Sequence, residues 1–293
     1  MDLPLVSILI TSYNRAAYIE AAIESALAQI YPNTEIIIVD NCSTDETKSI
    51  LKQYQNEAKI NIHINDMNIG QFPNRNKAAS LAKGKYIKYL DSDDLLYPHS
   101  IAVMVSAIED CPKCALGIAF EISHHVEKSF PFEIEPSTAL HLHFQKGLLF
   151  PAPGSIIYKK SVFEAVGGFQ DWGLPSDNFL TLKIASKYPI AALPRDLYWW
   201  RRHDEQEFQT MSENPRVQLE YFKINQFILT SNICPLNRKE ARYHLLCHKV
   251  RLSRWVMRSF FKGKTGMSRM IIREVPLQFT DFLLAFIPVK YIQ

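Results

Sequence analysis

Three features of the sequence predict an α/β fold: a mostly parallel sheet flanked by helices, with a helical C-terminal extension. Short β-branched runs alternate with segments of helical spacing from residue 5 to residue 90, the pattern of strands and crossover helices. Hydrophobic residues make up 47% of the 293-residue chain, enough for a packed core. Polar clusters follow directly on the apolar runs, where open α/β sheets hold their ligands.

Residues 5–11 (LVSILIT) read as the first strand, and 17–28 carry apolar residues at helical spacing. Residues 34–39 (TEIIIV) form a second strand, and Ser43-Thr-Asp-Glu46 has the form of a capping box opening a second helix. Ile60, Ile62 and Ile64 alternate as a strand should; 72–82 is a third helix and 86–90 a further buried strand. A helix is expected after Tyr97. Downstream, 115–121 is a strand, 141–149 a short amphipathic segment, 155–158 a strand and 161–166 a short helix. A Gly167-Gly168 break precedes a helix over 176–187, and from Pro215 the pattern is helical and basic. The predicted organisation is one domain over 1–213, in halves 1–110 and 111–213, and an extension over 214–293.

The net charge of +3 is unevenly spread: from Arg238 to Arg273 there are eleven Lys and Arg and one acid, Glu240. Leu245, Leu246, Val250, Leu252, Trp255, Val256, Phe260 and Phe261 are interleaved with them, describing a basic amphipathic helix. The expected partner of 238–290 is an anionic membrane surface, not nucleic acid; packing on the domain or contact in a homo-oligomer is the alternative. The N-terminus has no positive region, and no stretch reaches the roughly 18 apolar residues of a membrane span. A cytoplasmic protein, peripheral on the inner face of the membrane, is predicted. Cys111 and Cys114 form a Cys-x-x-Cys with no second pair at zinc-site spacing, so reduced thiols are expected.

Chemistry concentrates at three strand ends: Thr11-Ser-Tyr-Asn-Arg15, Asp40-Asn-Cys-Ser43 and Asp91-Ser-Asp-Asp94. Three acids within four residues after a buried strand repel one another and call for a cation. Oxygen ligands select Mg²⁺ or Mn²⁺. Taken with Asn68-Ile-Gly70 and Arg75-Asn76, in this order and spacing, these blocks closely resemble family 2 of the inverting glycosyltransferases over roughly residues 3 to 205, a family with the GT-A fold.

The resemblance implies a nucleotide-sugar donor, a UDP-sugar with GDP left open, and a carbohydrate or lipid-linked acceptor. Halves 1–110 and 111–213 would bind donor and acceptor respectively. By the same resemblance Thr11 and Tyr13 line the base pocket, Asp40 accepts from a base N–H, Arg75 helps close the pocket and Asp91 contacts the ribose or the metal's water shell. Asp93 ligates the metal, with His203 completing its shell, and Arg201 or Arg202 grips the diphosphate. Val166-Gly-Gly-Phe169 and Leu174-Pro-Ser-Asp-Asn178 match the segment that ends in the catalytic base, Asp177. Ser176 stands where the family carries Glu. Gly168, Phe169 and Trp172 are the acceptor-side candidates. A nucleotidyltransferase is disfavoured, since Thr11 to Arg15 contains no glycine; a non-catalytic sugar-nucleotide scaffold is the other reading.

Overall fold

A computed structural model describes residues 3–119, 129–147, 149, 152–202 and 214–287. Its strands are β1 (Val6–Ser12), β2 (Thr34–Asp40), β3 (Ile60–Ile64), β4 (Tyr86–Asp91), β5 (Leu95–Leu96), β6 (Leu116–Ala119), β7 (Phe132–Ile134), β8 (Ile156–Lys159), β9 (Ile190–Leu193) and β10 (Tyr198–Trp199). The helices are α1 (Ile19–Leu27), α2 (Thr47–Gln53), α3 (Gln71–Leu81), α4 (Ser100–Asp110), α5 (Pro136–Lys146), α6 (Lys160–Ala165), α7 (Ser176–Ala185), α8 (Pro215–Thr230), α9 (Arg238–Phe261), α10 (Thr265–Glu274) and α11 (Phe279–Leu284).

The chain divides into two compact units, Met1–Asp171 with Leu180–Arg202, and Trp172–Phe179 with His203–Gln293. In the first, eight strands order as β3-β2-β1-β4-β8-β6-β9-β7. The first four pair in parallel, and β6 pairs in parallel with β9. β8 runs antiparallel to both β4 and β6, and β7 antiparallel to β9. Alternation sends Val6, Ile8, Ile10, Ile36, Ile38, Tyr86 and Leu90 into one core with Ile19, Ile23, Met104 and Ile108 from α1 and α4. On the other face α3 lies against β1 and β2 through small residues, Ala78 and Ala79. The parallel strands end together, so Ser12, Asp40 and Asp91 reach one rim of the sheet.

Two local expectations change. The capping box at Ser43 does not form: α2 begins at Thr47 with no side-chain cap, because the Ser43 hydroxyl donates to Asp40 instead. Of the amphipathic segment expected over 141–149, residues 141–146 are the second half of α5, which starts at Pro136 and is capped by left-handed Gly147.

The second unit is helical. Asn214 caps α8, and Asn237 with Glu240 forms a capping box on α9. Leu219, Phe222, Leu252, Val256, Ile271 and Val275 make its core, with Leu245 and Trp255 packed on it. The apolar face of α9 that the sequence assigns to a surface is therefore largely covered by neighbouring helices, and Phe260 and Phe261 stay exposed. No helix among the described residues is long and apolar enough to cross a membrane.

Candidate active site

The rim of the first unit collects the predicted donor-side residues. Asp40 is fully buried at the end of β2. It accepts from the Ser12 hydroxyl at 3.1 Å, from the Ser43 amide at 2.9 Å and from the Ser43 hydroxyl. It thus braces the two loops and has no exposed edge for a base N–H, the contact the sequence reading gives it. Thr11 is half-buried, between Val39 and Asp91 in the sheet register, and Tyr13 is exposed. Asn14, in the left-handed region at φ 52°, accepts from the Thr44 amide at 2.8 Å and fixes the turn that carries Arg15.

The acid cluster follows β4. Asp91 meets Arg75 of α3 at 2.7 Å, and the Arg75 guanidinium lies over the rings of Tyr89 and Phe169. Asp93 faces Arg15 at 3.4 Å. Asp94 is buried and accepts from the Arg201 amide at 3.0 Å. Burial, then the charge of Asp91, pushes its carboxyl up to about 7. Lys88 is fully buried on the same face of β4 as Tyr86 and Leu90. It donates to the carbonyls of Tyr89, at 2.8 Å, and Gly154. Burial pulls its amine down to about 7, against Asp91 and Asp94, which raise it. The protein's own cations, Arg15 and Arg75 with Lys88, thus relieve part of the repulsion among these acids.

Arg201 and Arg202 follow β10, which pairs with β5 beside the acids. Arg201 donates through Nε to the Asp93 carbonyl at 2.9 Å and lies between the rings of Tyr18 and Trp199. Arg202 is exposed over Trp200. Only Arg201 turns to the acid cluster. His203 lies outside the described residues.

A model of glycosyl transferase family 2 matches residues 7–167, more than half the chain. The chain belongs to glycosyl transferase family 2. Its fold is that of the GT-A glycosyltransferases. TuaG of Bacillus subtilis (strain 168), provisionally assigned to teichuronic acid biosynthesis as a glycosyltransferase, is 47% identical over 92 residues, 31% of this chain and 36% of TuaG. WfaP of Escherichia coli, a UDP-Glc:alpha-D-GlcNAc-diphosphoundecaprenol beta-1,3-glucosyltransferase, is 42% identical over 127 residues, 43% of this chain and 48% of WfaP. The mannosyltransferase PcManGT from Pyrobaculum calidifontis, solved with GDP-Man and Mn²⁺, superposes with a TM-score of 0.63 at 17% identity, covering 100% of this chain and 86% of that one. The chain spans from about a third to just under two thirds of the length of the curated relatives it matches.

Within this family 2 chain, the Gly-Gly-Phe segment is structural. Asn76 clasps Phe169 through both backbone groups, at 2.8 and 2.9 Å, and a Cβ on Gly168 would stand 2.6 Å from the Asn76 amide oxygen. Phe169 is buried among Tyr89, Phe163 and Phe72. Neither residue offers an acceptor a surface, which corrects the sequence assignment.

Asp177 belongs to the second unit, in the first turn of α7, half-buried and accepting from the Asn178 amide at 2.7 Å. The preceding loop is tied internally. Ser176 accepts from the Trp172 amide and donates to the Gly173 carbonyl. Glu220 of α8 accepts from the Leu174 amide at 3.2 Å. The Tyr221 hydroxyl is raised to about 12 by burial, then by Asp177 and Glu220. Trp172 stacks on Phe179 at 4.7 Å and meets Phe227, so its ring is already occupied by aromatic neighbours. Glu220 is absent from the sequence reading, Lys88 has no role assigned in it, and Asn76 enters it only as a member of the Arg75-Asn76 block, without the clasp on Phe169.

Proposed function

We propose that the chain is an inverting glycosyltransferase, moving a sugar from a nucleoside diphosphate donor, a UDP-sugar, to an acceptor hydroxyl in the synthesis of a cell-surface polysaccharide or glycolipid. The observation that carries the reading is the acid cluster at the end of β4, with Arg15, Arg75 and Arg201 against it. Asp91 and Asp93 are partly exposed and offer only oxygen, the donor set Mg²⁺ or Mn²⁺ takes. Asp93, with His203, is the proposed holder of that ion, which when bound supplies positive charge to the departing diphosphate. Mn²⁺ beside GDP-Man in PcManGT and UDP-Glc in the name of WfaP support metal and donor class.

Tyr13 and Thr11 are proposed to line the base pocket, with Asp40 as its brace. Arg75 would close that pocket through Asp91, and Arg201 would grip the diphosphate. Asp177 is proposed to take the acceptor hydroxyl's proton as its oxygen attacks the anomeric carbon. The bond to the leaving phosphate oxygen breaks on the opposite face, which inverts that centre. Support for Asp177 is the resemblance of Leu174-Pro-Ser-Asp-Asn178, which lies beyond the matched residues 7–167, to the family's base-bearing segment, and its place in the first turn of a helix.

The test is turnover of UDP- and GDP-sugars with Mn²⁺, with Mg²⁺ and in EDTA. Asp93→Ala should abolish transfer and weaken donor binding. Undiminished turnover in EDTA would sink the metal reading, and binding without turnover of any sugar nucleotide would leave a scaffold.

A cytoplasmic location against the inner membrane face is proposed from the second unit. Phe261 is 84% exposed, Phe279 77% and Phe286 78%. Arg254 holds the carbonyls of Ala285 and Ile287, which sets the end of α11 along the α9 face that carries Arg254, Arg258 and Phe261. Exposed aromatics interleaved with arginines suit an anionic lipid surface.

A further inference from the structure

The Cys111-Pro-Lys-Cys114 motif meets in the fold a partner that its sequence spacing could not show. Cys111 ends α4, Cys114 leads into β6, and the Cys114 amide donates to the Cys111 carbonyl at 2.9 Å, closing a tight knuckle. Strand β7 brings Glu133 alongside. The two Sγ atoms and a Glu133 carboxylate oxygen all lie within 4.8 Å of one another. Both thiols are buried, and among the described residues no other three His, Cys, Asp or Glu side chains converge in this way.

We propose that this is a zinc site, with Cys111, Cys114 and Glu133 as ligands and water in the fourth position. The spacing fits: thiolates about 2.3 Å from a tetrahedral zinc stand about 3.8 Å apart, so the side chains need close by only about 1 Å. The donor set fits as well. Two sulfurs with one carboxylate suit zinc and disfavour Mg²⁺ or Mn²⁺, which favour oxygen alone. On binding, each S–H bond gives its proton to solvent as a Zn–S bond forms. The charges then balance. Two thiolates and a carboxylate carry three negative charges; zinc brings two positive, and the Lys159 ammonium, donating to the Pro112 carbonyl inside the motif at 2.6 Å, brings the third. Such an ion fastens the end of α4 to β7, which lies at the edge of the sheet beside β9.

Reduced full-length protein, equilibrated with zinc and desalted, should retain one zinc per chain. Loaded with cobalt(II), it should show a thiolate-to-metal charge-transfer band, which the oxygen ligands at Asp91 and Asp93 cannot produce. C111S and C114S should each abolish the band. E133Q should keep a band with at least tenfold weaker affinity. Far-UV circular dichroism reports whether each variant folds, and E133Q tests the site if the serine variants do not. A parent without retained zinc or without the cobalt band overturns the proposal. Parental cobalt affinity in E133Q, or a Cys111–Cys114 disulfide in freshly purified protein, does the same.

Discussion

Gly173→Ala tests how tightly the loop before Asp177 is held. Gly173 sits at φ +82°, and a Cβ there would stand 2.2 Å from the Glu220 carboxyl carbon. Two costs follow. A side chain in the left-handed region costs about 1–2 kcal/mol. The contact can be relieved only by moving Glu220, which breaks its bond to the Leu174 amide. That charge-assisted hydrogen bond is worth about 1.5–3 kcal/mol. Together G173A should lose about 2.5–5 kcal/mol, while E220A loses only the second part, about 1.5–3 kcal/mol. The exposed Arg216–Glu220 pair adds little. In the double variant the bond is lost once and the clash is gone, so its loss should equal that of G173A alone. Equilibrium urea unfolding of the four proteins measures the cycle, with an expected coupling of about 1.5–3 kcal/mol. If the single losses simply add, Glu220 does not latch this loop.

Asp177→Asn should keep donor affinity within a few-fold of the parent and cut transfer about a hundredfold; near-parental product formation would move the base elsewhere. Lys88 bears on pH. Its amine titrates near 7 in the folded chain against 10.5 ordinarily, so the unfolded chain binds more protons between those values. Stability from this group must therefore rise with pH across that window. The parent should gain up to about 5 kcal/mol on Lys88→Met from pH 7 to 10.5, and parallel pH curves from urea unfolding would refute the assignment. Full-length protein should co-sediment with anionic vesicles at low salt and be released by added salt, whereas F261D and F286D should stay in the supernatant. A parent that ignores the vesicles removes the membrane reading.

The first half of the fold was legible because period-2 and period-3.6 patterns were clean and each strand ended in a polar cluster. Strands β5, β7, β9 and β10 were not foreseen: β5, β7 and β10 span two or three residues, too few to establish an alternation, and β9 (IAAL) is buried on both faces with no polar residue to alternate. At the candidate site, what each side chain touches was not legible. Asp40 looked like a ligand and is a brace, because Ser12 and Ser43 reach it only once two strand ends lie side by side. Phe169 and Gly168 drew notice as a loop motif, and what fixes them is Asn76, 93 residues earlier. Pairings across such distances leave no local trace. The same holds for Glu133 beside the Cys-x-x-Cys, and for Glu220 under Gly173.

The strand order also sets a timetable for synthesis. β3, β2, β1 and β4 are neighbours in the sheet, and all lie within the first 91 residues. This block can close while the rest of the chain is still being made. β6 is different: its sheet neighbours are β8 and β9, both later in the chain. Between Ala119 and Ile156 the ribosome must add a further stretch before β6 has a strand to pair with. At 5–20 residues per second that is roughly two to seven seconds with an apolar strand and the open edge of β4 both waiting. The nascent chain is most open to misassociation in that interval. Substitutions that slow translation or weaken β8 should lower soluble yield long before they alter the finished fold.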